Sequence, residues 1–467
     1  MMSASSFLNS YRDNDIILLN DNQTFSKKEI LSYSHKILKN VIYKDIVLIC
    51  CSNNIESYVL YICLIYKGAI PILLEEKSET SWINGVIDKF KPSFIISDSD
   101  SLSALNLKVD YNFNGRVISK RIHNSSGNEE IHSLLTTSGS TGEPKFAVIS
   151  ERNINFVVSG ICKYLKLDKK DRAITTLPLN YSYGLSVLLS HLNVGGSIFV
   201  TDKGLFDKQF WNQINDNNIT SFNGVPFHFQ QIIKLKIDLS QFNLRYITQA
   251  GGKLESEKIL EILNLSRKKT QFFIMYGQTE CSPRISYLPP EQIERKLGSV
   301  GIPIPGGKIF IVDSDKNGLG EIVYNGDNVF MGYAESIDFL NNPNYEKIEE
   351  WHTGDLGYID SDGYLFITGR KKRFIKLFGK RYNLDFLKSE FVGKVSIEFE
   401  LIEIDDDLVI VFTAEDISKS ENHNLLIKLI SRHLNVPKKT IQVKFVNYFT
   451  YNSNNKINYN ELRNATL

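Results

Sequence analysis

Ile46-Val-Leu-Ile-Cys-Cys51, Ile55–Lys67 and Ile70-Pro-Ile-Leu-Leu74 decide the fold. The first run is apolar throughout, with no polar residue alternating in. That is the pattern of a strand covered on both faces. Ile55–Lys67 carries a wide apolar helical face and stops at Gly68. Ile70–Leu74 is the next strand, Trp82–Phe90 a helix, and Ser93–Ser97 a further strand. Strands separated by helices of this length build βαβ units and a parallel sheet. The rhythm resumes with strands at Gly196–Thr201, Ile219–Val225, Leu244–Thr248 and Gln271–Met275. Helices over Phe206–Asn215, Pro226–Leu235 and Glu255–Ser266 separate them, the second with Pro at its first turn.

After Pro289 the pattern changes. Lys308–Val312 and Glu321–Tyr324 flank turn residues and read as an antiparallel β-section. At the end, Lys394–Glu403 and Leu408–Thr413 are β-like runs joined at Asp405–Asp407. Leu425–Leu434 is helical and Gln442–Phe449 extended. The expected fold class is α/β. A large N-terminal domain of parallel-sheet βαβ units with a β-rich section spans 1–371. A smaller, mobile α+β domain spans 372–467.

The 467 residues carry 54 Lys and Arg against 53 Asp and Glu, a formal net charge of +1. No overall field recruits nucleic acid or an anionic membrane. The five cysteines are odd in number, scattered, and without a CxxC pair. This fits a reducing cytoplasm better than a disulfide framework. The longest apolar stretch, Tyr58–Tyr66, is too short to span a bilayer, and no signal peptide is legible.

The most informative chemistry lies in Leu134-Leu-Thr-Thr-Ser-Gly-Ser-Thr-Gly-Glu-Pro-Lys145. Binding phosphate takes backbone N–H groups that can come close, hydroxyl donors and a cation. Gly139 and Gly142 permit the approach. Thr137, Ser138, Ser140 and Thr141 supply hydroxyls, and Lys145 supplies charge. No Gly-Lys-Ser/Thr follows, so this is not a Walker A loop. A generic Gly/Ser/Thr stretch is as often a plain surface loop; this string is far more specific.

The loop resembles the signature of the adenylate-forming superfamily: acyl-CoA synthetases, adenylation domains of peptide synthetases, and luciferases. Further stretches match that family's motifs in order, from about Lys67 to the C-terminus. They are Gln249-Ala-Gly-Gly-Lys253, Tyr276-Gly-Gln-Thr-Glu280, Gly320–Gly326 with Gly332-Tyr333, Trp351-His-Thr-Gly-Asp355, Gly369-Arg370, and Asn454-Asn-Lys456.

The resemblance implies ATP and Mg2+ as cofactors. The loop then holds the β- and γ-phosphates, with Gly251 and Gly252 against adenine and Tyr276 stacked on it, beside Gly277 and Gln278. Thr279 touches the α-phosphate and Glu280 binds magnesium. Asp355 and Arg370 contact ribose, and Lys456 is the catalytic lysine. Lys372 is the hinge, and Gly379 opens a pantetheine tunnel. Leu177–Leu185 resembles the acyl-pocket segment, with Tyr181 and Gly251 lining it. Taken singly, Lys456 reads as an exposed lysine, Asp355 as a turn residue and Tyr276 as a core aromatic. The ordered set reverses those readings.

The residue types suit the chemistry. A carboxylate, already ionised at neutral pH, needs no general base. It must attack an anionic phosphate, so the site has to neutralise charge on both reactants and on the leaving pyrophosphate. The expected activity is an AMP-forming acid–thiol ligase. It acts on a small-molecule carboxylic acid, with CoA or carrier-protein phosphopantetheine as acyl acceptor. A stand-alone enzyme that loads a carrier protein with an amino or hydroxy acid, or passes its acyl group to an amine, is the alternative. Asn180-Tyr181-Ser182 offers no Asp to pair with an α-ammonium, which weighs against an α-amino acid. A catalytically silent nucleotide-binding regulator is disfavoured because Glu280 and Lys456 are both present.

Several positions depart from the family's pattern. Phe146 stands where Gly is common, Ile274 where Asn is, Phe386 where Glu is, and Asn455 where Gly precedes the lysine. Lys372 occupies a hinge position that is often Asp.

Overall fold

The computed structural model describes residues 4–137, 144–342, 345–371, 373–377, 380–404, 407–413, 420–451 and 457–466. The chain packs as two compact units, Met1–Lys308 with Tyr324–Trp351, and Ile309–Val323 with His352–Leu467. This division by packing falls elsewhere than the expected hinge at 372, because residues 309–323 and 352–371 group with the C-terminal residues.

The first unit is α/β, as the apolar runs require. One sheet is eight-stranded. Its order is Gly332–Ala334, Lys145–Ser150, Ile131–Thr137, Ile70–Glu75, Ile46–Cys51, Phe94–Asp98, Arg116–Ser119, Val109–Phe113. Ile46–Cys51 is buried along its whole length and runs parallel to both neighbours, Ile70–Glu75 and Phe94–Asp98. Helix Ile55–Tyr66 starts at Asn54, whose side chain accepts from the Ser57 amide. Its residues from Ser57 to Ile65 are all buried, which explains an apolar surface on every side.

The other sheet of this unit runs Ser299–Pro303, Ser286–Leu288, Gln271–Tyr276, Tyr246–Gln249, Ser221–Gly224, Arg172–Ile174, Ser197–Phe199, Ile16–Leu19, Thr24–Ser26. From Gln271–Tyr276 to Ile16–Leu19 every pairing is parallel. The ends of these parallel strands feed the turns Gly251-Gly252 and Gly277–Glu280.

Phe146 has a plain structural reason. It stacks on Trp82 at 5.8 Å and meets Phe90 edge-on at 4.8 Å, fully buried in the core under the first sheet. Burying such a ring contributes about 2–3 kcal/mol, which a glycine there would forgo.

The second unit begins with neighbouring strands drawn from Lys308–Val312, Gly320–Asn325, Glu350–Ile359 and Leu365–Arg370. The last two are antiparallel, with Asp355 opposite Arg370. A ribbon of Phe374–Leu377 and Lys380–Asn383 leads into helix Leu384–Phe391, capped by Asn383. Phe399–Ile404 pairs antiparallel with Asp407–Thr413, which pairs parallel with Ile441–Val446. Helix Ser420–Leu434 supplies Leu426, Ile430 and Leu434 to the core of this three-stranded sheet. The strand expected from Lys394 begins only at Phe399. Gly393 is left-handed (φ 84°) and the Lys394 amide bonds the Phe391 carbonyl, so the chain turns there before it extends.

All five cysteines are free. Burial pushes the Cys162 thiol up to about 11, and Cys51 and Cys63 higher still, so these behave as packing groups. Among the described residues no helix is long and apolar enough to cross a membrane.

Candidate active site

The phosphate-loop stretch is flanked by two paired strands. Strand Ile131–Thr137 pairs antiparallel with Lys145–Ser150, and Thr137 lies opposite Lys145. The two ends of the loop are therefore neighbours across a ladder. Ser138, Gly139, Ser140, Thr141 and Gly142 lie outside the described residues. On its far side Lys145–Ser150 pairs with Gly332–Ala334, placing Tyr333 opposite Ala147.

The Tyr276–Glu280 segment leaves the end of strand Gln271–Tyr276. Tyr276 is buried, and its amide-side neighbours hold the turn: the Ile285 amide donates to the Tyr276 carbonyl at 2.9 Å. Gly277 is forced by space, since a Cβ there would sit 1.7 Å from the Pro283 carbonyl oxygen. The Trp351 indole N–H donates to the Gln278 side-chain oxygen at 2.8 Å. Thr279 and Ser182 hydroxyls lie 3.0 Å apart. The Phe330 amide donates to the Glu280 carbonyl at 2.9 Å. Asn328, fully buried, donates to the carbonyls of Cys281 at 2.6 Å and Arg284 at 2.7 Å. The backbone around Glu280 is thus pinned from two sides.

The Glu280 carboxylate meets the loop through one side chain. Tyr333 donates its phenol proton to Glu280 Oε1 at 2.5 Å. The Thr137 hydroxyl hydrogen-bonds the same phenol oxygen. The Lys145 ammonium lies 5.1 Å from the centre of the Tyr333 ring. Burial first, then the Glu280 charge, raises the Tyr333 phenol well above its ordinary value, so it stays protonated and donates.

Gly251 is left-handed (φ 87°), the conformation a glycine adopts at least cost. Gln249, buried, donates to the Gly252 carbonyl at 2.7 Å and closes that turn. Tyr181 precedes helix Ser182–Val194 and lies 6.2 Å from the Tyr183 ring. Burial pushes its phenol up to about 12. Gly184 lets the helix start close to the preceding backbone, 2.4 Å from its absent Cβ to the Pro178 carbonyl. Ile274, where Asn is usual, is a buried core residue.

In the second unit Asp355 is buried and Arg370 reaches it, Nε to Oδ1 at 3.1 Å. The Thr353 hydroxyl accepts the Asp355 amide at 3.1 Å. Glu321 lies close by on the same unit. Burial opposes its ionisation, but hydrogen bonds and charge from Lys371 and His352 hold its carboxyl below the ordinary range. Lys372, Gly379 and Lys456 lie outside the described residues.

Thr137, Lys145, Tyr276, Gln278, Thr279 and Glu280 thus converge in one unit, and Asp355 with Arg370 in the other. Ser182, Asn328 and the central role of Tyr333 were not legible as site residues. The Gly332-Tyr333 motif was the one available signal.

A carboxylate tied to both ends of the Thr137–Lys145 stretch suits a charged ligand, and comparison supplies the kind of protein. The chain belongs to the AMP-binding enzyme family, whose profile matches residues 33–334. It is an ATP-dependent, AMP-forming ligase. Over 335 residues it is 30% identical to a 2-succinylbenzoate–CoA ligase from Oceanobacillus iheyensis, covering 70% of this chain and 68% of that one. An oxalate–CoA ligase from Saccharomyces cerevisiae is also 30% identical, over 69% of this chain and 61% of its own length. Among solved structures, o-succinylbenzoate CoA synthetase (MenE) from Bacillus subtilis with its acyl-adenylate intermediate superposes with TM-score 0.80 at 20% identity. That match covers 99% of this chain and 98% of that one. ATP-bound MatB from Rhodopseudomonas palustris gives 0.80 at 19% identity, over 99% of each chain. These likenesses establish the fold.

Proposed function

We propose that the chain joins a small carboxylic acid to a thiol through an acyl-adenylate, with coenzyme A as the thiol. In the first half-reaction a carboxylate oxygen attacks the α-phosphorus of ATP. The bond from that phosphorus to the α,β-bridging oxygen breaks, and pyrophosphate leaves. In the second, the thiol sulfur attacks the acyl carbonyl carbon, loses its proton, and AMP leaves with the electron pair of the acyl–oxygen bond.

The proposed roles are those the family resemblance implies. Thr137–Lys145 holds the β- and γ-phosphates, Thr279 orients the α-phosphate, and Tyr276 with Gly251-Gly252 faces adenine. Asp355 and Arg370 hold the ribose. Glu280 and Thr137 offer a carboxylate and a hydroxyl, hard oxygen donors. Among the described residues no group of three or more His, Cys, Asp or Glu could cage a metal. That donor set fits a magnesium ion, which keeps water and phosphate among its ligands. Bound there, magnesium neutralises phosphate charge; Glu280 holds it. Lys456 bridges carboxylate and α-phosphate. Rotation of 372–467 about Lys372 withdraws it and brings Gly379 to the pantetheine path. Tyr181 lines the acyl pocket.

The observation that carries this reading is the meeting of Glu280 with both ends of the phosphate loop at Tyr333. The acids named for the relatives, 2-succinylbenzoate and oxalate, each bear two carboxyl groups. A small dicarboxylic acid is therefore the first substrate to offer. Acceptor choice is tested by product analysis with coenzyme A, a phosphopantetheinylated carrier protein and an amine supplied side by side. The expected result is acyl-CoA as the main product. Predominant acyl-carrier protein or amide would replace coenzyme A with the stand-alone loading or amide-forming activity.

A further inference from the structure

The Tyr333 phenol does more than fill space. It stands between the two parts of the site that sequence keeps farthest apart in the first unit. Its proton goes to Glu280 Oε1 at 2.5 Å, the length of a hydrogen bond to a charged acceptor. Its oxygen takes the Thr137 hydroxyl. Its ring lies under the Lys145 ammonium. Phe330 at 4.9 Å and Trp351 at 6.4 Å hold the ring edge-on, and the ladder to Ala147 fixes its backbone. The ring therefore has little freedom to follow a carboxylate that moves.

We propose that Tyr333 is a positioning residue that sets the metal-binding carboxylate against the mouth of the phosphate loop. This rests on the reading of Glu280 as a magnesium ligand. By engaging Oε1, the phenol orients the carboxylate that would hold the ion. By accepting from Thr137, it ties the first loop residue to the same phenol that orients that carboxylate. The Glu280 carboxylate and the two ends of the loop, Thr137 and Lys145, are then held around one ring. Groups that orient a ligating carboxylate in this way are worth roughly 10- to 100-fold in metal affinity.

The test is Tyr333→Phe in the full-length protein, which keeps the ring and removes only the hydroxyl. Mn2+ serves as the probe, titrated by paramagnetic resonance in the presence of a non-hydrolysable ATP analogue, with Glu280→Gln measured alongside. The expected result is Mn2+ affinity weakened by about tenfold or more in Tyr333→Phe. Affinity for the analogue without metal, and the unfolding midpoint, stay near wild type. A role in packing alone would move the midpoint and leave metal affinity unchanged, which overturns the proposal. If Glu280→Gln weakens Mn2+ binding and Tyr333→Phe does not, the positioning role fails while Glu280 keeps its assignment. If neither variant changes Mn2+ binding, the reading of Glu280 fails and takes the proposal with it.

Discussion

Lys456→Ala is expected to abolish most acid-dependent exchange of pyrophosphate into ATP, a loss of roughly 10²- to 10³-fold. The size follows from the lysine's task, since removing one preorganised group aimed at developing charge costs about that much. Its ammonium is asked to neutralise two anions that must approach each other, a carboxylate and an α-phosphate. ATP binding should be nearly unchanged, because the loop, Glu280, Asp355 and Arg370 are intact. Under the proposed domain alternation, which withdraws the lysine after adenylation, a preformed acyl-adenylate supplied with the thiol should still give thioester near the wild-type rate. Equal loss in both half-reactions would make Lys456 a folding residue of the C-terminal unit.

Gly277→Ala is expected to be strongly damaging to both stability and activity. The added Cβ would lie 1.7 Å from the Pro283 carbonyl oxygen and 3.0 Å from the Arg284 Cα, both backbone, so no side chain can swing aside. The backbone must move, and overpacking of this kind costs about 3 kcal/mol or more. The segment that must move carries Tyr276, Thr279 and Glu280. A displacement of about 1 Å at reacting groups is worth on the order of 10²-fold in rate. Denaturant unfolding and kcat/KM for ATP should therefore fall together. Wild-type values for both would mean that the turn from Gly277 to Pro283 relaxes freely, contrary to its pinning by Asn328.

Much of the fold was legible because double-sided burial leaves unbroken apolar runs. Ile46–Cys51 and Ile70–Glu75 read as strands for that reason. Ends were less legible where no side chain signals them. Helix Thr80–Phe90 begins after Glu79, which makes no capping bond, so the sequence pattern suggested Trp82 instead. Helix Ser182–Val194 was hidden in a stretch read only as pocket lining. Tyr181 caps it without a side-chain bond, and its apolar residues surround the axis.

The site was legible where composition itself is chemical. The hydroxyls, glycines and lysine of 137–145 suggest phosphate on their own, whereas Glu280 and Asp355 gain a reading only from the ordered set of motifs. Tyr333 was harder to place, since 53 residues separate it from Glu280 and only the sheet brings it back. Asn328 is similar: it follows Asn325-Gly-Asp327 and reads as a turn residue, and its purpose emerges when its amide is seen holding two carbonyls.

The central claim is tested most directly by exchange of labelled pyrophosphate into ATP by the wild-type protein, with Mg2+ and a panel of mono- and dicarboxylic acids. The account predicts label in ATP only when one acid or a small related group of acids is present, and none without Mg2+. Tight ATP binding with no exchange on any acid would contradict it, and would leave a nucleotide-binding protein that forms no adenylate.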